Sequence, residues 1–410
     1  MKAKSKASRW LAALLTGVLM LGLLAACQST PAATTAPTTK AAATEADKTD
    51  APASDDEPIV IGGLAPLTGG VSVYGIASDN GTQLAIDEIN AAGGINGRQI
   101  KYVVLDEQGD EEQAVTAYDR LVNEYNIVAL IGDVTSKPSI AVAQRAARDG
   151  LPMIAPTATA ADVTLQGKNV FRVCFLDPDQ GRTMADFAKN NLNVTKAAVI
   201  HNASDDYSVG LAEAFIAQAK ELGIEIVSEQ TYVQDDKDFR TQLTTIAAAG
   251  PDILYAPDYY GTDILILNQA KDAGLNVPLL GGDGWDGILT QTAEDNPKEA
   301  DGNYFTNHYA TSDESPIVQD FLKAFEAKYN EVPISFSALG YDAAHILAAA
   351  IERAGSTDKD AIVAALNQTD YEGVTGHITF DENGDPLKPI SIIEVVDGAY
   401  KLITKIDIER

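Results

Sequence analysis

The chain has 410 residues and a formal net charge of −29, from 59 acidic against 30 basic side chains. A surface this acidic repels phosphate backbones and anionic headgroups, which argues against nucleic acid or an anionic lipid surface as a partner. The length exceeds what one hydrophobic core usually holds, so two lobes are expected.

At the amino end Lys2, Lys4, Lys6 and Arg9 precede an uncharged run from Leu11 to Ala26, which closes on Leu24-Ala25-Ala26-Cys27. A basic start, a short apolar stretch and small residues at its end read as a secretory signal over residues 1–26. The apolar run is shorter than the roughly 20 residues that a spanning helix needs. Leu-Ala-Ala-Cys also resembles the bacterial lipobox, which implies that Cys27 carries a lipid and begins the mature chain. Residues 27–56 continue as Ala, Thr, Pro and Ser with later acids and no apolar period, the composition of a flexible tether. The expected location is therefore extracytoplasmic, anchored to the cell membrane by lipid. With Cys27 so used, Cys174 stands alone and no intramolecular disulfide is possible.

From Pro58 to about residue 280, short β-rich runs alternate with helical patterns. Strands are predicted at Ile59 to Leu64, Ile100 to Asp106, Ile127 to Ile131, Pro152 to Ala155, Ala197 to His201, Ile224 to Tyr232, Ile253 to Ala256 and Val277 to Leu280. Helices are predicted over 82–92, 111–124, 138–149, 180–191, 207–222, 238–248 and 262–273. This alternation implies βαβ units, parallel sheets and right-handed crossovers. A further helix from Ser337 carries Leu339, Ala343, Ile346, Leu347, Ala350 and Ile351 on one buried stripe, with His345 at its rim. Gly376 to Asp381, Ile390 to Val396 and Tyr400 to Ile406 then read as antiparallel strands that finish a sheet.

Several chemistries lack their signatures. There is no phosphate-cradling glycine loop of either common pattern and no Gly-x-Ser-x-Gly elbow. His201, His308, His345 and His377 are far apart and no cysteine pair exists, so no metal site of sequence-local ligands is expected. Neither a cofactor nor an enzymatic activity is expected.

Polar residues instead collect at the carboxyl ends of the predicted strands, where open α/β sheets bind ligands. Some of these residues, and other segments of the chain, make up an ordered set that begins with Ala65-Pro66-Leu67-Thr68-Gly69-Gly70, Tyr74-Gly75 and Asp87 through Gly97. It continues in Ile131-Gly132-Asp133-Val134-Thr135-Ser136, Ile154-Ala155-Pro156-Thr157-Ala158-Thr159 and Asp205-Asp206-Tyr207. Tyr255-Ala256-Pro257-Asp258-Tyr259-Tyr260 and Gly281-Gly282-Asp283-Gly284 complete the set. In this order and spacing the segments resemble the leucine/isoleucine/valine-binding protein family over nearly the whole chain after the tether.

The resemblance implies the type I periplasmic-binding-protein fold, two Rossmann-like α/β lobes joined by a three-crossing hinge. One lobe would hold residues 57–177 plus 308–392, the other 178–307 plus 393–410. It implies that Thr159 binds an amino-acid head group, that the Thr157 backbone carbonyl faces its ammonium, and that Asp283 pairs with that ammonium. Tyr207 and Tyr259 would close over the ligand from the second lobe, and Tyr74 would cover it from the first. Ser136 precedes a predicted helix, so its hydroxyl and nearby N–H groups suit a carboxylate, although a serine there is also an ordinary N-cap. The two threonines are equally good loop residues, and an aspartate among glycines is commonly a turn. The family's acidic residue is often glutamate, so the shorter Asp283 leaves the side-chain preference open.

The function so implied is a monomeric substrate-binding lipoprotein that captures a branched-chain or other apolar amino acid and delivers it to the permease of an ATP-driven (ABC) importer. A ligand of the urea, short-amide or aromatic-acid kind, and a sensor that presents its closed form to a membrane receptor, are the alternatives.

Overall fold

In a computed structural model of the chain, the described residues are 57–293 and 295–408; the expected signal, Cys27 and the tether lie outside them. The first lobe grows from strands buried on both faces. Strands β1 (Ile59–Ala65), β2 (Ile100–Asp106), β3 (Ala129–Ile131), β4 (Met153–Ala155) and β5 (Val170–Arg172) form a parallel sheet in the order β2-β1-β3-β4-β5. Helices α1 (Ser72–Ala91), α2 (Glu111–Tyr125), α3 (Ser136–Asp149) and the short α4 (Asp162–Leu165) connect them. Side chains alternate along β1, so Ile59 and Ile61 pack with α1 while Leu64 joins α2 and α3 on the other face.

The chain then crosses to the second lobe and builds α5 (Asp177–Asn190), β6 (Lys196–Asn202), α6 (Asp206–Glu221), β7 (Glu225–Tyr232), α7 (Arg240–Ala249), β8 (Ile253–Tyr255), α8 (Tyr260–Asp272), β9 (Leu279–Gly281) and β10 (Tyr304–Asn307). It returns with α9 (Pro316–Tyr329), α10 (Ser335–Ala354), α11 (Lys359–Leu366) and the hairpin β11 (Asp370–Gly373) and β12 (Gly376–Thr379). A third crossing leads to β13 (Ile390–Val396) and β14 (Ala399–Ile406), giving the second sheet the order β14-β13-β10-β9-β8-β6-β7. β13 runs antiparallel to β10, with Ser391 opposite Asn307. The change of lobe expected at 392–393 thus falls inside a strand of the second sheet. The run from Gly376 likewise does not finish that sheet, since β12 pairs only with β11.

Helix α1 begins ten residues before the predicted start at 82. Its glycines, which read as helix breakers, are where other backbone passes closest. A Cβ on Gly75 would lie 2.1 Å from the Pro66 carbonyl oxygen, and one on Gly81 would lie 1.8 Å from that of Ser337 in α10. Gly340 returns the approach from α10 onto Ser78, and the Thr82 hydroxyl donates to the Gly340 carbonyl at 3.1 Å. Close backbone contact outweighs the intrinsic penalty of about 1 kcal/mol for a helical glycine.

At the carboxyl ends of β2 and β3, Glu107 and Asp133 are fully buried side by side. Glu107 accepts from the N–H groups of Gly109 at 2.7 Å and Asp110 at 3.0 Å, and Asp133 accepts from Val134 N–H at 2.5 Å. Burial pushes both carboxyls up, and the charge of Asp133 adds to the shift at Glu107. A raised carboxyl pKa gives stability that is present at low pH and is lost as pH climbs through the raised value. The melting temperature should therefore fall between pH 7 and pH 9. Glu107→Gln, which cannot ionise, should flatten that fall in a calorimetric pH series, and an unchanged slope would show that this pair does not carry it.

Candidate functional site

The loops that leave the strand ends of both sheets face each other. From the first lobe come 132–136 after β3 and 156–161 after β4; from the second come the segments that follow β6, β8 and β9. Between them lies a pocket lined by Val134, Thr135, Ser136, Thr157, Thr159, Tyr207, Tyr259, Asp283, Gly284 and Phe336. Six residues singled out from the sequence therefore share one wall-to-wall space, and Phe336, at the start of α10, was missed. Tyr74 does not line it. Its ring stacks on Phe336 at 4.2 Å and meets Tyr259 edge-on at 5.9 Å. Its hydroxyl crosses to the second lobe, donating to the Gly284 carbonyl and accepting from Tyr260 N–H at 3.1 Å.

On the first-lobe wall, Thr135 is the N-cap of α3 and makes no side-chain capping bond, so Ser136 is not the ordinary cap. The Ser136 hydroxyl accepts from Ala160 N–H at 3.2 Å and ties the two loops together. The first-turn N–H groups of α3 have no acceptor within the helix. Thr157 donates its hydroxyl to the Val134 carbonyl at 2.6 Å, and the Thr159 carbonyl accepts from Asp177 N–H at 3.0 Å. This wall offers the amino end of α3 and the proton of the Ser136 hydroxyl, a surface for an anionic group.

The opposite wall is anionic. Asp283 is buried, and its Oδ1 accepts from the Tyr207 hydroxyl at 2.9 Å and from Gln180 Nε2 at 3.0 Å. Its Oδ2 lies 2.9 Å from His308 Nε2. Tyr207 also accepts from Gly284 N–H at 2.7 Å, and its ring stacks on Tyr259 at 5.0 Å. Gln180 is fixed in turn, its carbonyl oxygen accepting from Asp283 N–H at 3.0 Å and Thr306 Oγ1 at 2.5 Å. Asp177, next to these groups, is pushed well up by burial; the nearby Thr159 hydroxyl opposes the shift and the charge of Asp283 adds to it. Asp283, which lines the pocket, is the acidic group that this corner presents to a guest.

Sequence reasoning missed His308 and Gln180. His308 sits at the second crossing, buried and stacked on Phe175 of the first crossing at 3.7 Å. Burial lowers its pKa to about 4 against the pull of Asp283, so the ring is neutral at neutral pH and its Nε2–H donates to the carboxylate. Nothing local marks either residue, because each reaches the site from a different turn of the topology.

The periplasmic binding protein family model matches residues 58–399. The chain belongs to that family. Its members work outside the cytoplasm and capture solutes rather than turn them over, and the two-lobed α/β architecture is their type I fold. The chain is 36% identical to a Leu/Ile/Val-binding protein homolog of Brucella melitensis over 334 residues, 81% of this chain and 89% of that one. The branched-chain amino acid transporter substrate binding protein of Streptococcus pneumoniae, solved with isoleucine, superposes with a TM-score of 0.80 at 34% identity over 86% of this chain and 99% of that one. An R. palustris transporter solute binding protein solved with benzoate reaches 0.78 at 25% identity, over 85% and 96%. Among the described residues no cluster of three or more His, Cys, Asp or Glu is placed to hold a metal, and no helix is long and apolar enough to cross a membrane.

The burial of His308 should make the protein lose stability in acid. A histidine whose folded pKa is lowered gives stability that is present above its ordinary value near 6.5 and is lost as pH falls through about 4. The loss attributable to this ring reaches about 3 kcal/mol. Denaturant unfolding at pH 7, 5 and 4 should show a steeper acid loss in the wild type than in His308→Gln, which keeps a donor to Asp283 without titrating.

Proposed function

We propose that the protein is the lipid-anchored capture component of an ABC importer for an α-amino acid with an aliphatic side chain. The observation that carries this reading is the pairing of opposite polarities across one small pocket. Asp283 with Tyr207 stands on one wall; the α3 amino end, Ser136, Thr157 and Thr159 stand on the other. A zwitterionic head group satisfies both at once, its ammonium at Asp283 and its carboxylate at the helix end. Val134, Phe336 and Tyr259 leave an apolar remainder for the side chain. The Brucella and Streptococcus relatives carry names that agree with this class.

A benzoate-like acid fits the aromatic walls and has a solved precedent in the R. palustris protein. It would leave Asp283 buried without a counter-charge, which costs several kcal/mol. The two readings separate in one calorimetric panel. L-leucine, L-isoleucine, L-valine and L-alanine are expected to bind, and benzoate and urea are not; binding of either of the latter with no amino acid bound would overturn the proposal. Asp283→Asn should weaken amino-acid binding by about 2–5 kcal/mol, a loss of thirtyfold or more.

The anchor is tested separately. Cys27 ends a basic-then-apolar leader in a lipobox-like sequence. Expressed in a bacterial host, the full chain should fractionate with membranes and Cys27→Ala should not; equal partition of the two would remove the lipid from the proposal.

A further inference from the structure

Arg172 ends β5 immediately before the first crossing, and its side chain is completely buried. A guanidinium has five donors and no acceptor, so it is stable in such a place only if acceptors are arranged around it. They are. Nε donates to Asp385 Oδ1 at 2.6 Å; Nη1 donates to the carbonyls of Ala158 and Ala160, both at 2.9 Å; Nη2 donates to the Ala161 carbonyl at 3.2 Å and to Thr164 Oγ1 at 3.0 Å. The Thr164 hydroxyl closes the ring by donating to the same Asp385 oxygen at 2.9 Å. Backbone joins in as well, since Arg172 N–H donates to the Gly384 carbonyl at 3.0 Å.

Three of these acceptors belong to the loop that places Thr157 and Thr159 in the pocket. This loop has no helix or strand of its own to hold it. Holding the carbonyls of Ala158, Ala160 and Ala161 pins the backbone on both sides of Thr159 and just after Thr157. We infer that Arg172, locked in place by Asp385, is the positioning residue for the head-group loop, fixing which of its groups face the ligand. The clamp also joins two parts of the hinge. Arg172 lies directly before the first crossing, and Asp385 lies in the segment just before the third. The ligand-facing loop is thereby referenced to the strands that enter and leave the hinge rather than to its own lobe alone.

The role of this clamp in affinity rests on the amino-acid reading above, whereas its role in ordering the loop does not, so the test has two arms. Asp385→Asn keeps the shape of the side chain and removes its charge; Arg172→Lys keeps the charge and removes the fork; Thr164→Val opens only the ring and is the mild variant should the others fold poorly. In the first arm, hydrogen exchange of the unliganded proteins should speed up across residues 157–161 and leave β1 and β3 at wild-type rates. In the second, calorimetry below the melting temperature should show affinities for L-leucine, L-isoleucine and L-valine falling by one common factor, roughly tenfold. Their rank order should be preserved, because the head group and not the side-chain pocket is disturbed. Wild-type exchange across 157–161 in a folded Asp385→Asn variant would overturn the inference, as would unchanged affinities or a reshuffled order. Faster loop exchange in a protein whose wild type binds no amino acid would sustain the clamp and refute the amino-acid reading instead.

Discussion

A carboxylate taken out of water has to be satisfied by fixed partners, and the arrangement of this molecule follows from how Asp283 is satisfied. Tyr207, Gln180 and His308 reach it from α6, α5 and the second crossing, so three remote parts of the chain converge on one side chain. Neighbouring acids are handled differently. Burial pushes Asp177, Asp263 and Asp286 up towards the neutral form, so the second lobe can carry many buried carboxyl groups without a matching set of buried cations.

The parallel topology explains why the opposing groups meet. In both sheets the strands deliver their loops at the carboxyl end, and the three crossings turn those ends towards each other. On the first lobe this brings the amino end of α3 to the pocket; on the second it brings the turn after β9 that holds Asp283. A dipolar solute is the natural match for such a pair of walls, and aromatic rings from both lobes supply rigid area that excludes water.

Strands β1 to β4 of the first lobe and most of its pocket-facing loops were legible because β-rich runs and strand-end polar residues are local signals. Less was legible where local preference and tertiary contact disagree. The start of α1 was hidden by Gly75 and Gly81, whose value lies in approach to Pro66 and Ser337 and not in helix propensity. Short elements such as β5 and β10 carry too few residues to show a period, yet they hold Arg172 and precede His308. Gln180 and Phe336 belong to helix starts that look like any other, and only the folded chain brings them to the pocket. Tyr74 was assigned to the right region with the wrong geometry, since an aromatic expected to cover the pocket spans the gap between lobes behind it.

That spanning position bears on kinetics. Besides the Tyr74 contacts, the Tyr260 hydroxyl donates to the Gly70 carbonyl at 2.9 Å and accepts from Val73 N–H at 3.4 Å, while Asp286 accepts from Ser335 N–H at 2.8 Å. None of these bonds involves the contents of the pocket. Were the lobes to separate for release, the same set would break whatever solute is leaving, so residence times of different guests would share one common contribution and differ by what each guest adds to it.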